Sequence, residues 1–261
     1  MIFDVNTAIG HWPFRRLENN QADSLRSLLE EHGIGGAAVA HTHGIFYANV
    51  NDANLELADA IAPHQNFFVG VATLSPTSSN WEKDLEECVR ELNFKALRLL
   101  PRYHSYSLDE PEAVEIARAA AEYDIPILVP QMISAQRQRH WMDLETLVDT
   151  AELGRLCLKV PKAKFILTEY RVAGPLTDGK GKPLYPNLYI ETSRLTSAYT
   201  QGLGSLVCTL GSDHLLFGSG APFKGIAPAI QKIAFAELPD SAKEQIAWQN
   251  ALAMFKVASE N

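Results

Sequence analysis

The sequence is poor in cysteine, in long apolar stretches and in clustered basic residues. Its three cysteines, Cys88, Cys157 and Cys208, are odd in number and far apart, so they indicate no disulfide framework. Cys88 and Cys157 fall in helical patterns and are expected to be buried free thiols. No window of about 18 residues is uninterruptedly apolar, which predicts no transmembrane helix. The net charge of −8 and the lack of a basic run argue against nucleic acid and anionic membranes as partners.

The first residues also lack the features of a secretory signal. Residues 1–6 lead directly into strand-like sequence, with no charged segment followed by an apolar one. Together with the unpaired cysteines, this pattern predicts a cytoplasmic, reducing location.

The length of 261 residues is close to the roughly 250 of an eight-stranded α/β barrel. A chain of this size can bury a core that needs no disulfide or structural metal. We therefore expect residues 1–261 to form one domain.

Short apolar runs recur along the chain, and most are followed by a helical pattern. Eight of them predict strands, at residues 2–6, 36–41, 67–74, 95–101, 126–131, 164–170, 187–193 and 215–220. Most are almost continuously apolar, as expected of parallel strands that are buried on both faces.

The segments between these runs are mostly helical in pattern. Residues 143–158 predict the fifth helix, and residues 241–257 predict a C-terminal helix that packs on the barrel. Residues 171–186 are rich in glycine and proline, so the sixth helix is expected to be short or replaced by a loop.

Eight strands that alternate with helices leave two architectures, a closed barrel or a doubly wound open sheet. The first strand is not followed by the glycine-rich fingerprint of a dinucleotide-binding fold. The fold class predicted is therefore an α/β (β/α)₈ TIM barrel with a C-terminal helix.

Several strand ends carry motifs that occur in order along the chain. IFDVNTAIGHWPFR at 2–15 resembles the opening of the amidohydrolase-related family, in which an Asp, one spacer and His-x-His close the first strand. Similar matches are NFKALRLLPRYHSYSLDEP at 93–111, NLYIETS at 187–193, LLFGSGAPF at 215–223 and QNALAMFKV at 249–257. The resemblance implies a barrel enzyme of hydrolysis or non-oxidative decarboxylation, in which the family holds a divalent metal, usually zinc, at the barrel mouth.

The positions of the family's metal ligands carry other residues in this chain. Asn6 and Ala8 stand at the His-x-His pair, Pro130 or Gln131 at the fifth-strand His, Glu169 at the sixth-strand His and Gly220 at the eighth-strand Asp. Alanine, proline and glycine offer no ligand side chain, and an amide is a poor zinc ligand. We therefore expect no metal cofactor; zinc is possible at these positions but not expected.

His41 and His43 offer a second histidine pair, two residues apart after the second strand. The pair could contribute a metal ligand, but its position is not that of the family's site. A loop or oligomer contact is the preferred interpretation of this pair.

The polar residues at the strand ends are the candidates for function, because barrel sites are built there. Glu169 and His104 are the candidate catalytic residues, each a general base if its pKa moves toward neutrality. Arg98 and Arg102 suit a carboxylate, since a guanidinium can bind two oxygens at once. The complete set of predicted substrate-binding residues is Asn6, Arg98, Arg102, Tyr103, Gln131, Arg171, Glu191 and Arg194.

Two of these assignments have structural alternatives. Glu169 and Arg171 could form a structural ion pair, and residues 101–106 could be a loop that packs without contacting a ligand. The sequence does not choose between the two interpretations.

Three functions remain open at this stage. The first is a hydrolase-like enzyme that acts on, or binds, a small carboxylate, lactone or amide without a catalytic zinc. The second is a non-catalytic barrel that binds a small anionic molecule, and the third is a structural partner of an active paralogue. A homo-oligomer is compatible with all but the last.

Overall fold

Eight parallel strands, paired in chain order, form the sheet of this protein. The computed structural model describes residues 1–144, 147–170, 176–178, 183–195 and 201–257. The strands are β1 (Phe3–Ile9), β2 (Gly36–His41), β3 (Phe68–Leu74), β4 (Ala96–Leu99), β5 (Ile127–Pro130), β6 (Phe165–Thr168), β7 (Leu188–Glu191) and β8 (Leu215–Leu216). Nearly all their residues are buried, which explains why the strands are apolar runs rather than alternating patterns.

The last strand segment returns to the first and closes the sheet. The Val5 amide donates to the Phe217 carbonyl at 3.0 Å, and Thr7 pairs with Ala221 in a parallel bridge. These contacts join the first and last strands of the sheet, as a barrel requires. The prediction of a (β/α)₈ barrel is confirmed.

Helices surround the barrel and connect its strands. The α-helices are α1 (Ala22–Glu31), α2 (Val50–Ile61), α3 (Trp81–Arg90), α4 (Pro111–Glu122), α5 (Thr150–Lys159), α6 (Gln201–Leu210), α7 (Ala227–Ala234), α8 (Asp240–Glu244) and α9 (Asn250–Phe255). Residues Gln245–Gln249 join the last two as a π-helical turn, so the predicted C-terminal helix is present. No helix in the described part of the chain has both the length and the apolar character that crossing a membrane requires.

Helix α5 begins seven residues later than the sequence pattern predicts, at Thr150 rather than Asp143. Asp149 caps it by accepting a hydrogen bond from the Ala151 amide at 2.9 Å. Leu144 is 50% exposed, so its helical spacing does not reflect packing against the core. Between β6 and β7, the residues that the structure describes contain no helix, and 171–175 and 179–182 lie outside them.

The barrel interior is apolar toward its N-terminal end. Val5, Val71 and Ile166 fill it, and α9 closes this end through Phe255, whose ring lies 5.9 Å from that of Phe3. The polar side chains of a functional site are therefore expected at the opposite, C-terminal end of the strands, where the loops follow.

An aromatic cap covers the C-terminal end of the barrel. The buried Trp12 ring contacts Phe14, Phe46 and Phe223, with ring centroids 5.3, 5.3 and 5.1 Å away. The three partners come from three different loops, so the cap joins these loops above the strand ends.

Candidate functional site

Three strand ends meet in one polar network beneath the aromatic cap. Asn6 lies in β1, Glu191 ends β7, and Glu169 directly follows β6. The Asn6 Nδ2 donates to Glu169 Oε1 at 2.9 Å and to Glu191 Oε2 at 3.1 Å. The Glu169 amide also donates to Glu191 Oε2, at 3.0 Å. Parallel strands therefore bring together three residues that the sequence separates widely.

Glu169 is the centre of this network. Its Oε1 accepts from Asn6 and from the Ser193 hydroxyl at 3.2 Å, and its Oε2 contacts Lys224 Nζ at 2.9 Å and Arg194 Nε. These four contacts surround both oxygens of the carboxylate. Its φ of +56° is unusual for a residue other than glycine, and such backbone strain is concentrated at functional sites.

Glu191 lies behind Glu169 and is fully buried. Its Oε2 also accepts from the Ser193 hydroxyl at 2.9 Å, and the Ser193 amide contacts Oε1. Burial raises the pKa of Glu191; the nearby Lys224 opposes this shift and the nearby Glu169 adds to it. The Glu191 carboxyl therefore holds a proton more readily than an exposed glutamate.

A small cavity of about 40 Å³ lies at the centre of the mouth. Asn6, Arg98, Glu169, Gly220 and Phe223 are among the residues that line it. A single water needs roughly 10–15 Å³ of such space, so the cavity as it stands holds a few waters. A ligand as large as an aromatic acid therefore requires the lining side chains to move.

Arg98 is the cation that lines this cavity, and its side chain is only 6% exposed. Its Nε donates to the Thr73 hydroxyl at 3.1 Å, and its Nη2 donates to the His41 carbonyl at 2.7 Å. Among the residues that the structure describes, no carboxylate forms an ion pair with it. Burial lowers the pKa of Arg98 to about 10, which still leaves the guanidinium charged at neutral pH. One wall of the cavity is therefore a guanidinium that forms no ion pair with any described carboxylate.

Three of the predicted site residues are not among those that line the cavity and contact other segments of the chain. Arg102 Nη2 pairs with Glu152 Oε1 on α5 at 3.0 Å, the Tyr103 hydroxyl donates to Asp143 Oδ1 at 2.8 Å, and His104 Nε2 is 2.9 Å from the Gly44 carbonyl. Burial lowers the pKa of His104. These contacts join the segment after β4 to α5 and to the residues around positions 44 and 143.

The remaining predicted residues divide between inside and outside the network. Arg194 contacts Glu169, as described above. Gln131 is buried, and its backbone amide donates to the Thr168 carbonyl at 2.9 Å. Arg171 lies outside the described residues, so its pairing with Glu169 stays a prediction.

The positions of the family's metal ligands do not fit a metal in this chain. Ala8 and Gly220 have no ligand atom, and the Asn6 amide already donates to two carboxyl groups. Glu169 is a carboxylate, but two cations and two further donors use its oxygens. These positions therefore provide no open set of ligands for a divalent ion.

A separate group of metal-ligand side chains lies at the end of β2. One ligand atom from each of His41, His43 and Glu56 lies within 4.8 Å of the other two. His43 Nδ1 is 2.8 Å and His41 Nδ1 is 3.7 Å from Glu56 Oε2. Burial lowers the pKa of His41 to about 4, so its ring is neutral and offers a lone pair. Two imidazoles and one carboxylate form a ligand set used by non-haem iron sites and by zinc.

The Tyr47 side chain supports this group from outside. Its hydroxyl donates to Glu56 Oε1 at 2.8 Å, which leaves Oε2 facing the two histidines. A hydrogen-bonded ligand carboxylate keeps its orientation, as is common around metal sites. Gly10 also matters, because a Cβ there would come within 2.7 Å of the His41 ring.

Sequence patterns assign no role to two of the residues that matter here. Glu56 lies on α2, and its approach to His43 depends on how α2 packs after β2. Lys224 was visible as a polar residue near the last strand, but nothing in the sequence showed that its side chain turns back to Glu169. Long-range packing, and not a local motif, places both.

Comparison with known proteins gives a consistent picture. Residues 10–257 match the sequence profile of the amidohydrolase family. The gamma-resorcylate decarboxylase of Polaromonas sp. (strain JS666) is 25% identical over 88% of this chain and 86% of its own length.

Two solved structures show the same fold at low sequence identity. The 2,6-dihydroxybenzoate decarboxylase from Rhizobium is 16% identical, with a TM-score of 0.73 over 98% of each chain. The 5-carboxyvanillate decarboxylase from Novosphingobium aromaticivorans is 18% identical, with a TM-score of 0.75 over 98% of this chain and 96% of that one. The latter was solved with manganese and 4-hydroxy-3-methoxy-5-nitrobenzoic acid.

The prediction that this chain would hold no metal is wrong. Its described residues include the group His41, His43 and Glu56, positioned to hold an ion, and the Novosphingobium protein of the same fold is a manganese complex. The prediction failed because it considered only the family's ligand positions. It also interpreted His41 and His43 without the third ligand, which α2 supplies.

Proposed function

The chain belongs to the amidohydrolase family, and from this membership we propose that it is an enzyme acting on a small aromatic carboxylate at the barrel mouth. The reaction proposed is non-oxidative decarboxylation, since the 25% identical relative and both solved structures above are named as decarboxylases of aromatic acids. Replacement of the carboxyl group by a proton needs an anion-binding cation and a proton carrier next to the ring.

The observation that carries this proposal is the unpaired Arg98 in the wall of the cavity. A buried guanidinium without a carboxylate costs free energy of folding, and a protein retains such a charge where it has a use. Two of its five N–H groups donate to Thr73 and His41, so three remain for a ligand among the described residues. A carboxylate fits this donor group in geometry and in charge.

Glu169 is the proton carrier proposed, because it is the titratable carboxyl that lines the cavity. When the carboxyl–ring bond breaks, its electron pair stays on the ring carbon, which then takes a proton as carbon dioxide leaves. Glu169 can exchange a proton only if one of its four partners moves away. The buried Glu191 carboxyl, with its raised pKa, is a nearby source of that proton. His104 does not line the cavity, so it is the less supported carrier.

A divalent metal is proposed at the group of His41, His43 and Glu56. When bound, it would supply a Lewis acid and a fixed positive charge next to the barrel mouth. Arg98 ties the backbone of this group to the cavity wall, because its Nη2 donates to the His41 carbonyl at 2.7 Å. Binding at the rim would thus stiffen the wall that holds the substrate.

A non-catalytic anion-binding barrel is the second candidate. Two observations favour it, namely the small cavity and the absence of a ligand set at the family's metal positions. In this case Arg98 would bind the acid, and no carbon dioxide would be released.

One assay separates the two candidates. Purified protein with manganese is incubated with 2,6-dihydroxybenzoate, and resorcinol is measured by liquid chromatography while binding is measured by calorimetry. Resorcinol formation that Arg98→Met abolishes supports the enzyme. Binding that depends on Arg98 without product supports the binding barrel, and absence of both rejects the proposed substrate class.

A further inference from the structure

The Lys224 side chain belongs to the polar network, and it is 21% exposed. Its ammonium is 2.9 Å from Glu169 Oε2 and 2.6 Å from the Ser193 hydroxyl. Both partners lie on the strand ends that line or border the cavity. A flexible side chain is therefore held in one place by two contacts from different loops.

The absence of a side chain at Gly220 makes room for this ammonium. A Cβ built on Gly220 would overlap Lys224 Cε and come within 2.9 Å of Lys224 Nζ and 2.7 Å of Glu169 Oε1. The φ of Gly220 is +75°, a conformation that glycine adopts without strain. In the resemblance stated above, Gly220 occupies the position of the eighth-strand aspartate. Lys224 thus fills the volume into which a side chain at that position would project.

The ammonium has a donor to spare. Lysine carries three N–H donors, and in the described part of the chain Glu169 and Ser193 accept two of them. Lys224 and Arg194 both contact the Glu169 carboxylate, so two cations face one anion there. With Glu191 protonated, as its burial favours, the network has two cations and one anion beside the cavity.

We infer that Lys224, in the loop after β8, is a resident cation of the barrel mouth and that its remaining N–H binds the anionic group of the substrate. The inference rests on the proposed function for its substrate class. In this inference, Lys224 supplies the positive charge of the mouth, where the family's metal-ligand residues are missing. Arg98 holds the acid from the cavity wall, and Lys224 holds it from the strand end of β8.

Binding of an acid and of its neutral ester tests this role. Calorimetry measures the affinity of 2,6-dihydroxybenzoate and of its methyl ester for the wild type, Lys224→Met and Lys224→Arg, all with manganese. Lys243→Met is the matched control, since Lys243 is a lysine outside the network that donates to the Ala234 carbonyl. We expect Lys224→Met to weaken acid binding at least 10-fold and ester binding less than 2-fold. Lys224→Arg and the control should stay within 3-fold of the wild type.

Equal weakening of acid and ester by Lys224→Met, or no weakening of either, would overturn the inference. Urea unfolding checks that each variant folds, and Lys224→Gln replaces Lys224→Met if the latter does not. Lys224-dependent acid binding without resorcinol formation would leave the inference standing and reject the decarboxylase. Resorcinol formation together with unchanged acid binding in Lys224→Met would reject the inference and leave the decarboxylase standing. A wild type that binds no acid would reject both the inference and the decarboxylase.

Discussion

The side-chain amide of Asn6 joins the carboxyl groups of Glu169 and Glu191, with its Nδ2 at 2.9 Å from one and 3.1 Å from the other. Two carboxyl groups in one buried network repel each other if both are ionised. The shared donor offsets part of this repulsion, together with the cations Lys224 and Arg194. The side-chain amide at position 6 therefore fits its surroundings, because it donates to both neighbouring carboxyl groups.

Asn6→Asp is therefore expected to destabilise the fold. It replaces the shared donor with a third acid, and an uncompensated buried charge costs on the order of 3 kcal/mol. The loss should shrink at pH 5, where the new carboxyl group is protonated more readily. Urea unfolding at pH 5 and pH 8 measures both effects. Asn93→Asp is the control, because Asn93 is exposed and beside Lys95, and an equal loss in both variants would contradict the account.

The buried Asp4 predicts a pH dependence of stability. Burial raises the pKa of Asp4 to about 7 from 3.8, so the folded state binds a proton more tightly than the unfolded state. Its stabilising contribution is complete below pH 4 and is lost as the pH rises to 7, on the order of 4 kcal/mol in all. Asp4→Asn keeps a side-chain oxygen that accepts from the backbone amides of Asn6 and Ser219, and it cannot ionise.

Stability curves from pH 4 to pH 8 check this expectation. The unfolding free energy of Asp4→Asn should rise relative to the wild type across this range and level off above pH 7. The exposed Asp59→Asn serves as the control and should follow the wild type at every pH. Parallel curves for Asp4→Asn and the wild type would show that Asp4 does not titrate as its burial implies.

The metal group predicts a specific loss of ion binding. His43→Ala and Glu56→Gln should each lower manganese affinity at least 10-fold, because each removes one of three ligands. Tyr47→Phe should have a smaller effect, since Tyr47 contacts Glu56 and His43 without being one of the three ligands. Metal content after dialysis, measured by mass spectrometry, gives the result. Full manganese retention in both ligand variants would place the ion elsewhere.

Gly10 offers an independent test of the same geometry. Gly10→Ala would push against the His41 ring, because the added Cβ would come within 2.7 Å of it, and the φ of Gly10 is +97°. We expect weaker manganese binding together with a stability loss of about 1–2 kcal/mol. Gly33→Ala has a comparable φ of +75° but no neighbour within 4 Å, so it isolates the backbone cost. Equal manganese affinity in the two variants would argue against a ligand role for His41.

Sequence patterns predicted the barrel well because its strands are buried on both faces. Such strands appear as continuous apolar runs, and each of the eight strands overlaps one of the eight runs predicted from the sequence. The start of α5 was missed for the opposite reason. Leu144 and Leu147 have helical spacing, yet they are largely exposed, so their apolar character does not report packing.

The candidate site was predictable only where strand order determines proximity. Asn6, Glu169 and Glu191 follow or end strands of one barrel, so their convergence follows from the fold. Lys224 and Glu56 reach their partners by the path of a loop and the packing of a helix, which no local motif encodes. The metal site was not predicted for this reason, because His41 and His43 indicate a ligand set only together with Glu56, which the packing of α2 supplies.

The affinity of 2,6-dihydroxybenzoate for the wild type and for Arg98→Met tests the central claim most directly, with exposed Arg90→Met as the control. The account predicts binding to the wild type and to the control, and a loss of at least 100-fold in Arg98→Met with the fold intact. Acid binding of equal strength to all three proteins would contradict it, since the cavity wall would then not be the anion site.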